Sequence, residues 1–526
     1  MPMKTHLLTT QPYRILWIFG IVALSFMGGQ YSVKTTDQRS SNTHLSQLIA
    51  LISERYVDRI SKPEIEQKAI SALLEQLDPH SSYIKATEVA RANEGLNGNF
   101  QGIGVEFIIF RDTVRILKCI PDGPSEGAGL KSGDCILEAR NTGQPKQVLF
   151  GKNINEEHVF EALRGPEASN VELVVKRLES AKTETLMLAR GEIPIPSISC
   201  AIAIKPNTGY IKIQRFGAQT HTEFKNAVNQ LKQKGLTSLI VDLRGNGGGY
   251  LNAATAIADE LLPKDATIVY TEGAHQHKNQ SVSNSGGCYE TLPLYVLIDQ
   301  ESASASEILA GAIQDNDRGT IIGRRSFGKG LVQDQIELED GSVIRLTVAR
   351  YYTPTGRCIQ RPYEPGKNSA YEQDALDRYT NGELFDTTNT SDKTKFIFTT
   401  PKGKRVYGGG GINPDIKIPL DTSRNKFENS IPYRDLQFVC SVYAQHKITV
   451  FAKQFKSESE FMSSYYPDET FKSYVSAYLK IKINWNADLL NLCKAYIGRI
   501  LFSDQCYYAI VLKSDEMINK TLRLNP

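Results

Sequence analysis

Glu301-Ser302-Ala303-Ser304-Ala305-Ser306-Glu307 follows an apolar run and leads into helix-forming sequence. A helix N-terminus carries partial positive charge and N–H groups without intrahelical partners, so a serine set there has donors for an oxyanion beside it. The same residues also read as a plain cap, because Ser304-x-x-Glu307 matches a capping box. Gly245-Asn246-Gly247-Gly248-Gly249 likewise follows an apolar strand and precedes a helix, which makes a nest of backbone donors able to hold an anion. It is not a phosphate loop, since no Gly-Lys-Ser/Thr follows, and Tyr250 stands where a dinucleotide fingerprint needs its third glycine. An oxyanion or carbonyl cradle remains, beside a simple tight turn. Lys329, in Ser326-Phe327-Gly328-Lys329-Gly330, could be a base if dried. Lowering an amine from about 10.4 to about 7–8 takes roughly 4 kcal/mol of desolvation or like-charge repulsion. Gln333, four residues on, is placed to hold that amine; the alternative is an ordinary solvated lysine.

The histidines offer no Ser-His-Asp arrangement. His80 lies in a helix stop, and His275 and His277 lie in a stretch read as loop, without the carboxylate spacing of a metal site. No metal or cofactor is expected. The eight cysteines are scattered, with no C-x-x-C pair, and read mostly as small buried hydrophobes. A net charge of +3 with no dense Lys/Arg run argues against a nucleic-acid partner.

These residues need a scaffold, and the patterning supplies one. Leu239-Ile240-Val241-Asp242-Leu243 and Leu294-Tyr295-Val296-Leu297-Ile298 are near-continuous apolar runs, as in parallel interior strands. Helical patterns alternate with them over 222–234, 251–262 and 303–314, which predicts a layered α/β core. Asp340-Gly341 predicts a hairpin between 333–338 and 343–351. Residues 270–290 and 363–395 are weakly patterned and read as loops. Short strand runs over about 95–190 suggest a separate module, and two amphipathic helices precede it. Residues 15–29 form an apolar run of about 15 residues behind Lys4, His6 and Arg14, which fits a signal-peptide core and is short for a spanning helix; export is expected, with cleaved signal and retained anchor evenly matched, the alternative being a buried N-terminal helix.

At these points the sequence resembles the C-terminal processing peptidases, the tail-specific serine proteases of family S41. The resemblance runs over about 44–418. It is carried by Asp78-Pro-His-Ser-Ser82, Gln101-Gly-Ile-Gly-Val105, Pro124-Ser-Glu-Gly-Ala-Gly-Leu-Lys-Ser-Gly-Asp134, Gly209-Tyr-Ile-Lys-Ile213, Asp242-Leu-Arg-Gly-Asn-Gly-Gly-Gly249, Ser302-Ala-Ser-Ala-Ser-Glu-Ile-Leu-Ala-Gly311 and Phe327-Gly-Lys-Gly330 with Val332-Gln333. Gly247 departs from the family, where many members carry proline, and Gly245 stands where many carry asparagine.

The resemblance implies a ClpP/crotonase-like α/β protease core with an inserted PDZ domain, an N-terminal helical segment and a C-terminal helical extension. The expected layout is a signal peptide or anchor over 1–35, a helical dimerisation segment over 40–94, a PDZ domain over 95–182, the protease core over 190–420 and the extension over 421–526. Ser304 is the implied nucleophile, Lys329 the base and Gln333 its orienter; the intervals 329 − 304 = 25 and 333 − 304 = 29 are the family's. Ala305 N–H with that of Gly248 or Gly249 forms the implied oxyanion hole, and Asp242 and Arg244 shape the loop. Gly102, Ile103, Gly104 and Val105 are the implied seat for a substrate's C-terminal carboxylate. The implied partners are proteins with free C-terminal tails, a second copy through the N-terminal helices, and an adaptor or regulator; the implied place is the cell envelope, with membrane contact through the N-terminal segment. Two other readings share the fold: a catalytically silent PDZ adaptor, and a crotonase-type acyl-CoA enzyme, which has no use for a PDZ module.

Overall fold

The computed structural model describes residues 44–178, 182–284, 287–385, 396–420 and 432–524. The expected signal or anchor over 1–35 lies outside them. Among the described residues no helix is long and apolar enough to cross a membrane. The chain divides into two compact units, Met1–Leu73 and Leu74–Pro526. In the first, the helix His44–Arg55 buries Ile49 and leaves Leu45, Leu48 and Leu51 about half exposed.

The second unit is built on a six-stranded sheet in the order Ile198–Lys205, Thr208–Ile213, Ser238–Asp242, Leu294–Ile298, Thr320–Gly323, Ile416–Lys417. The first pair is antiparallel and the others are parallel. Side chains alternate across a strand, and both faces here are covered. On one side Ile211, Leu239, Val241, Val296 and Ile298 pack against the helices Thr220–Gln233, Leu251–Leu261 and Ala305–Asp315. On the other, Tyr210, Ile240, Leu297 and Ile322 meet Leu512, Met517 and Ile518 from the far end of the chain. Two-sided burial explains why these strands read as unbroken apolar runs.

A second sheet flanks this core. Val343–Tyr352 lies between Ser82–Ile84 and Thr267–Gly273, pairs also with Leu331–Glu337, and Gln276–Val282 closes the far edge. Two sequence expectations are corrected. Residues 270–282 are not a loop: Thr267–Gly273 and Gln276–Val282 form a hairpin, and His275 and His277 sit at its turn and second strand. The second strand is exposed along most of its length, so burial left no alternation to read. Within 363–395 the helix Asn368–Thr380 forms, also mostly exposed.

The module between helix Ala86–Asn97 and the core is a six-stranded antiparallel sheet with Val105–Ile109 at its edge and Val114, Ile116, Ile136, Leu173 and Val175 in its centre. Its last strand, Thr183–Ala189, runs past the expected limit of 182. Asn155 caps the helix Glu156–Leu163 by accepting from His158 N–H at 3.0 Å.

The extension is helical from Tyr433–His446 to Glu516–Leu524. Besides the core sheet, it covers Ile108, Phe110 and Leu117 of the antiparallel module. Phe438 is fully buried with its ring 4.9 Å from that of Phe110. Arg499 reaches both Glu106 oxygens at 2.8 Å, and Lys118 approaches Asp504 at 3.4 Å. Burying one aromatic side chain of this kind stabilises by about 1.5–3 kcal/mol, so the extension is a joint between module and core rather than a loose tail.

Candidate active site

Ser238–Asp242 and Leu294–Ile298 are parallel neighbours, so the loops leaving their C-terminal ends arrive side by side. The first loop carries Gly245 to Gly249 and the second Ser304. Both are pinned. Ser302 Oγ donates to the Leu243 carbonyl at 2.8 Å, and Ser306 Oγ donates to that of Asn246 at 2.9 Å. Ala303 N–H also donates to Asn246 O, at 3.0 Å. Ser302 and Ser306 are thus spent on holding the loops together, and Ser304, between them, faces the cleft.

Ser304 sits at φ 54°, ψ −115°, outside the ordinary regions for a non-glycine residue. Its capping-box partnership with Glu307 is real on the Glu307 side: Oε2 accepts from Ser304 N–H at 2.8 Å. Glu307 N–H donates to the Ser304 main-chain carbonyl at 2.8 Å, so the backbone does what the hydroxyl of a plain cap would do. Gly248 lies directly on this residue. A Cβ on Gly248 would stand 2.8 Å from Ser304 Cβ and 3.0 Å from Ala305 N, at φ +101°.

The two glycine donors left open by the sequence differ. Gly248 N–H donates to Asn246 Oδ1 at 2.9 Å and is committed. Gly249 pairs with Phe216 through its neighbours, Gly248 O and Tyr250 N–H. Its own N–H, and that of Ala305 in the first helical turn, meet no acceptor among the described residues.

Lys329 Nζ donates to Gln333 Oε1 at 2.9 Å, and Gln333 Nε2 donates in turn to the His80 carbonyl at 2.5 Å. Burial lowers the Lys329 pKa from its ordinary value, and the charge of Arg345 adds to this; Asp78 and Glu307 oppose it. His80 is pushed down to about 4, first by burial and then by Lys329, so it is neutral near pH 7. No hydrogen bond joins Lys329 Nζ to Ser304 Oγ among the described residues. Both line one cleft of 420 Å³, together with Gln333, Gly249, Tyr250 and Arg345. Catalytic hydrogen bonds are often long before substrate is bound.

Two buried side chains tie the Ser304 and Lys329 segments together, and the sequence pointed to neither role. Glu307 Oε2 accepts from Ser304 N–H and from Lys329 N–H (2.9 Å), while Oε1 accepts from Gly328 N–H (2.7 Å) and Ser326 Oγ (2.5 Å). Burial pushes its pKa up to about 7 against these four donors. The Tyr351 hydroxyl lies against the carbonyls of both Lys329 and Ser304, the latter at 3.1 Å. Glu307 was visible only as a cap residue, and Tyr351 only as one more residue of a strand. Asp242 and Arg244 pair with each other: burial opposes charge on Asp242, but Arg244 and Lys212 outweigh it and hold the carboxyl below the usual range.

Gly102, Ile103, Gly104 and Val105 do not line this cleft. They lie in the antiparallel module, where Ile103 O accepts from Ser125 N–H and Oγ, Gly104 O accepts from Ile120 N–H at 2.9 Å, and Val105 opens the edge strand. No group of side chains able to hold a metal occurs among the described residues.

Residues 207–366 match the model of peptidase family S41. The carboxy-terminal-processing protease of Bartonella bacilliformis is 31% identical over 355 residues, which cover 66% of this chain and 80% of that protein. The carboxyl-terminal-processing protease of a Picosynechococcus species is 33% identical over 317 residues, 59% of this chain and 74% of that one. Among solved structures, a photosystem II D1 C-terminal processing protease aligns at 25% identity with a TM-score of 0.36, over 72% of this chain and 93% of its own. The chain belongs to peptidase family S41 and is a serine peptidase of the carboxy-terminal processing group.

Proposed function

We propose that Ser304 is the nucleophile and Lys329 the general base of a peptidase that cuts proteins near their C-terminal ends. The observation that carries this is the Lys329 amine: half-buried, repelled by Arg345, held by Gln333, and facing the same cleft as a strained serine. Neutral Lys329 takes the Ser304 proton as Oγ bonds to the scissile carbonyl carbon. The carbonyl oxygen becomes an oxyanion between the N–H groups of Ala305 and Gly249. When the C–N bond breaks, Lys329 returns the proton to the leaving amine, and water then releases the acyl group from Ser304. Gly248 supports the hole sterically, its own N–H being given to Asn246.

In this reading the core is ClpP/crotonase-like and the antiparallel module is a PDZ domain. Gly102 to Val105 hold the substrate's terminal carboxylate, and the tail adds a strand beside Val105–Ile109, the open edge of that sheet. The protein is exported to the cell envelope with residues 15–29 as signal or anchor, and the N-terminal helices, with Leu45, Leu48 and Leu51 uncovered, pair with a second copy.

A catalytically silent tail-binding adaptor is favoured by one observation, the missing Ser304–Lys329 hydrogen bond. Ser304→Ala and Lys329→Ala in the purified full chain decide between the two. The peptidase reading expects both to abolish cleavage of a tailed substrate while tail binding survives; cleavage untouched by either substitution, or absent from the wild type, overturns it.

A further inference from the structure

The loop that carries Gly248 and Gly249 begins at Arg244, and the charge that completes Arg244 comes from the helical extension. Toward Asp242 the guanidinium makes three contacts, Nε to Oδ1 and Oδ2 at 3.0 Å and Nη2 to Oδ2 at 2.6 Å. The remaining nitrogen, Nη1, donates to Asp515 Oδ2 at 2.8 Å. Asp515 Oδ1 meanwhile accepts from Ile518 N–H at 3.0 Å, so one carboxylate caps the last helix and grips Arg244. Its place is fixed by Leu512, Met517 and Ile518, which are buried against the core sheet. The two side chains are 19% and 16% exposed, so the contact is largely shielded.

From Arg244 the loop is fastened step by step toward the cleft. The Arg244 carbonyl accepts from Lys212 Nζ. Gly245 N–H donates to Asp299 Oδ1 at 3.0 Å. Asn246 Nδ2 donates to Ile213 O at 3.0 Å while its Oδ1 takes Gly248 N–H, and its carbonyl takes Ala303 N–H. A shift at Arg244 therefore reaches the donors beside Ser304 through short, directed contacts.

We propose that Asp515 is a positioning residue for the peptidase reaction: by completing Arg244 it fixes the start of the glycine loop and so places the Gly249 N–H where the oxyanion forms. This rests on the Ser304–Lys329 reading and extends it to a segment beyond the matched family region, which ends at residue 366. The extension is then part of the catalytic machine as well as a joint to the antiparallel module.

The test uses the full chain with Asp515→Asn, which keeps the size and capping ability of aspartate while removing the charge. Ser503→Ala is the control; it removes the cap of Asp504–Val511 in the same extension without touching Arg244. Removing an oxyanion donor outright costs on the order of 100- to 1,000-fold in kcat, and a displaced donor costs less, about tenfold. For Asp515→Asn we expect kcat on a short unstructured peptide to fall about tenfold, with KM nearly unchanged. The affinity of a peptide boronate probe, whose tetrahedral adduct uses the oxyanion hole, should fall in step. Ser503→Ala should lower the thermal midpoint and leave kcat alone. Wild-type kcat and boronate affinity in Asp515→Asn overturn the proposal, as does an equal kcat loss in Ser503→Ala. Ser304→Ala is inactive under either outcome if the underlying reading is right, so the two failures are distinguishable.

Discussion

Gly248 and Gly247 are adjacent, yet the structure assigns them opposite tolerances for a methyl group. At Gly248 the backbone has φ +101°, and an added Cβ would meet Ala303 O at 2.8 Å, Ser304 Cβ at 2.8 Å and Ala305 N at 3.0 Å. The backbone conformation alone costs roughly 1–2 kcal/mol for a residue with a Cβ. The contacts are with main-chain atoms or the Ser304 Cβ, not the end of a flexible side chain, so the loop must move by several tenths of an ångström. Misplacing catalytic groups by about 1 Å costs about 100-fold in rate. Gly248→Ala should therefore lose about 30- to 100-fold in kcat and about 1–2 kcal/mol in stability. Around Gly247 an added Cβ meets nothing within 4 Å, and its φ is ordinary. Gly247→Ala should keep kcat within about twofold and match wild type in stability. Steady-state cleavage of a fluorogenic peptide, with thermal melting of both variants, reads the contrast. Equal kcat values for the two variants would refute the claim that the seating of Gly248 against Ser304 matters to the reaction.

On the proposed assignment Lys329 acts as a base only when neutral, so kcat/KM should rise with pH through its pKa; Arg345→Met removes a like charge that lowers that pKa and should move the rising limb to higher pH. In Glu307→Gln an amide N–H₂ replaces an oxygen that accepts two donors, at a cost of about 1–3 kcal/mol, and kcat should fall sharply because the Ser304 and Lys329 segments lose a shared anchor. Glu307 also gives a pH signature. Its folded pKa of about 7 lies above the ordinary 4.5, so the native state holds the proton more tightly and stability from this group declines as pH rises from about 4.5 to 7. Glu307→Gln should flatten that decline in thermal midpoints taken across the window. Phe438→Ala should destabilise by about 3–5 kcal/mol and speed proteolysis of the antiparallel module, because its ring fills the joint with Phe110.

The core was legible because burial wrote it in plain terms. Leu239 to Leu243 and Leu294 to Ile298 are covered on both faces, so their apolar runs could not be mistaken for amphipathic elements. Ser304, Lys329 and Gln333 stood out only through the resemblance of their motifs to the family, since by type alone Ser304 read as a cap and Lys329 as a solvated lysine; the folded chain brings all three to one cleft. What stayed hidden has a common cause: its signal lies in long-range partnership. Glu307 has the right residue type for a cap, and only the folded chain shows that its carboxylate also reaches residues 326, 328 and 329. The strand Gln276–Val282 is exposed at a sheet edge, and the helix Asn368–Thr380 buries little, so neither needed a periodic pattern. Asp515 is one acid among many until Arg244 is placed beside it.

The joint made by the extension also sets a timetable for synthesis. Arg499 and Glu106 are 393 residues apart in the chain. At about 5–20 residues per second, ribosomes need roughly 20–80 s to make what lies between them. Until the extension is made Ile108, Phe110 and Leu117 lack its cover, and Arg244 waits for a carboxylate 271 residues further on. On the positioning role proposed for Asp515, the glycine loop is complete only once that residue has been made, so cleavage is expected to be among the last properties the chain acquires.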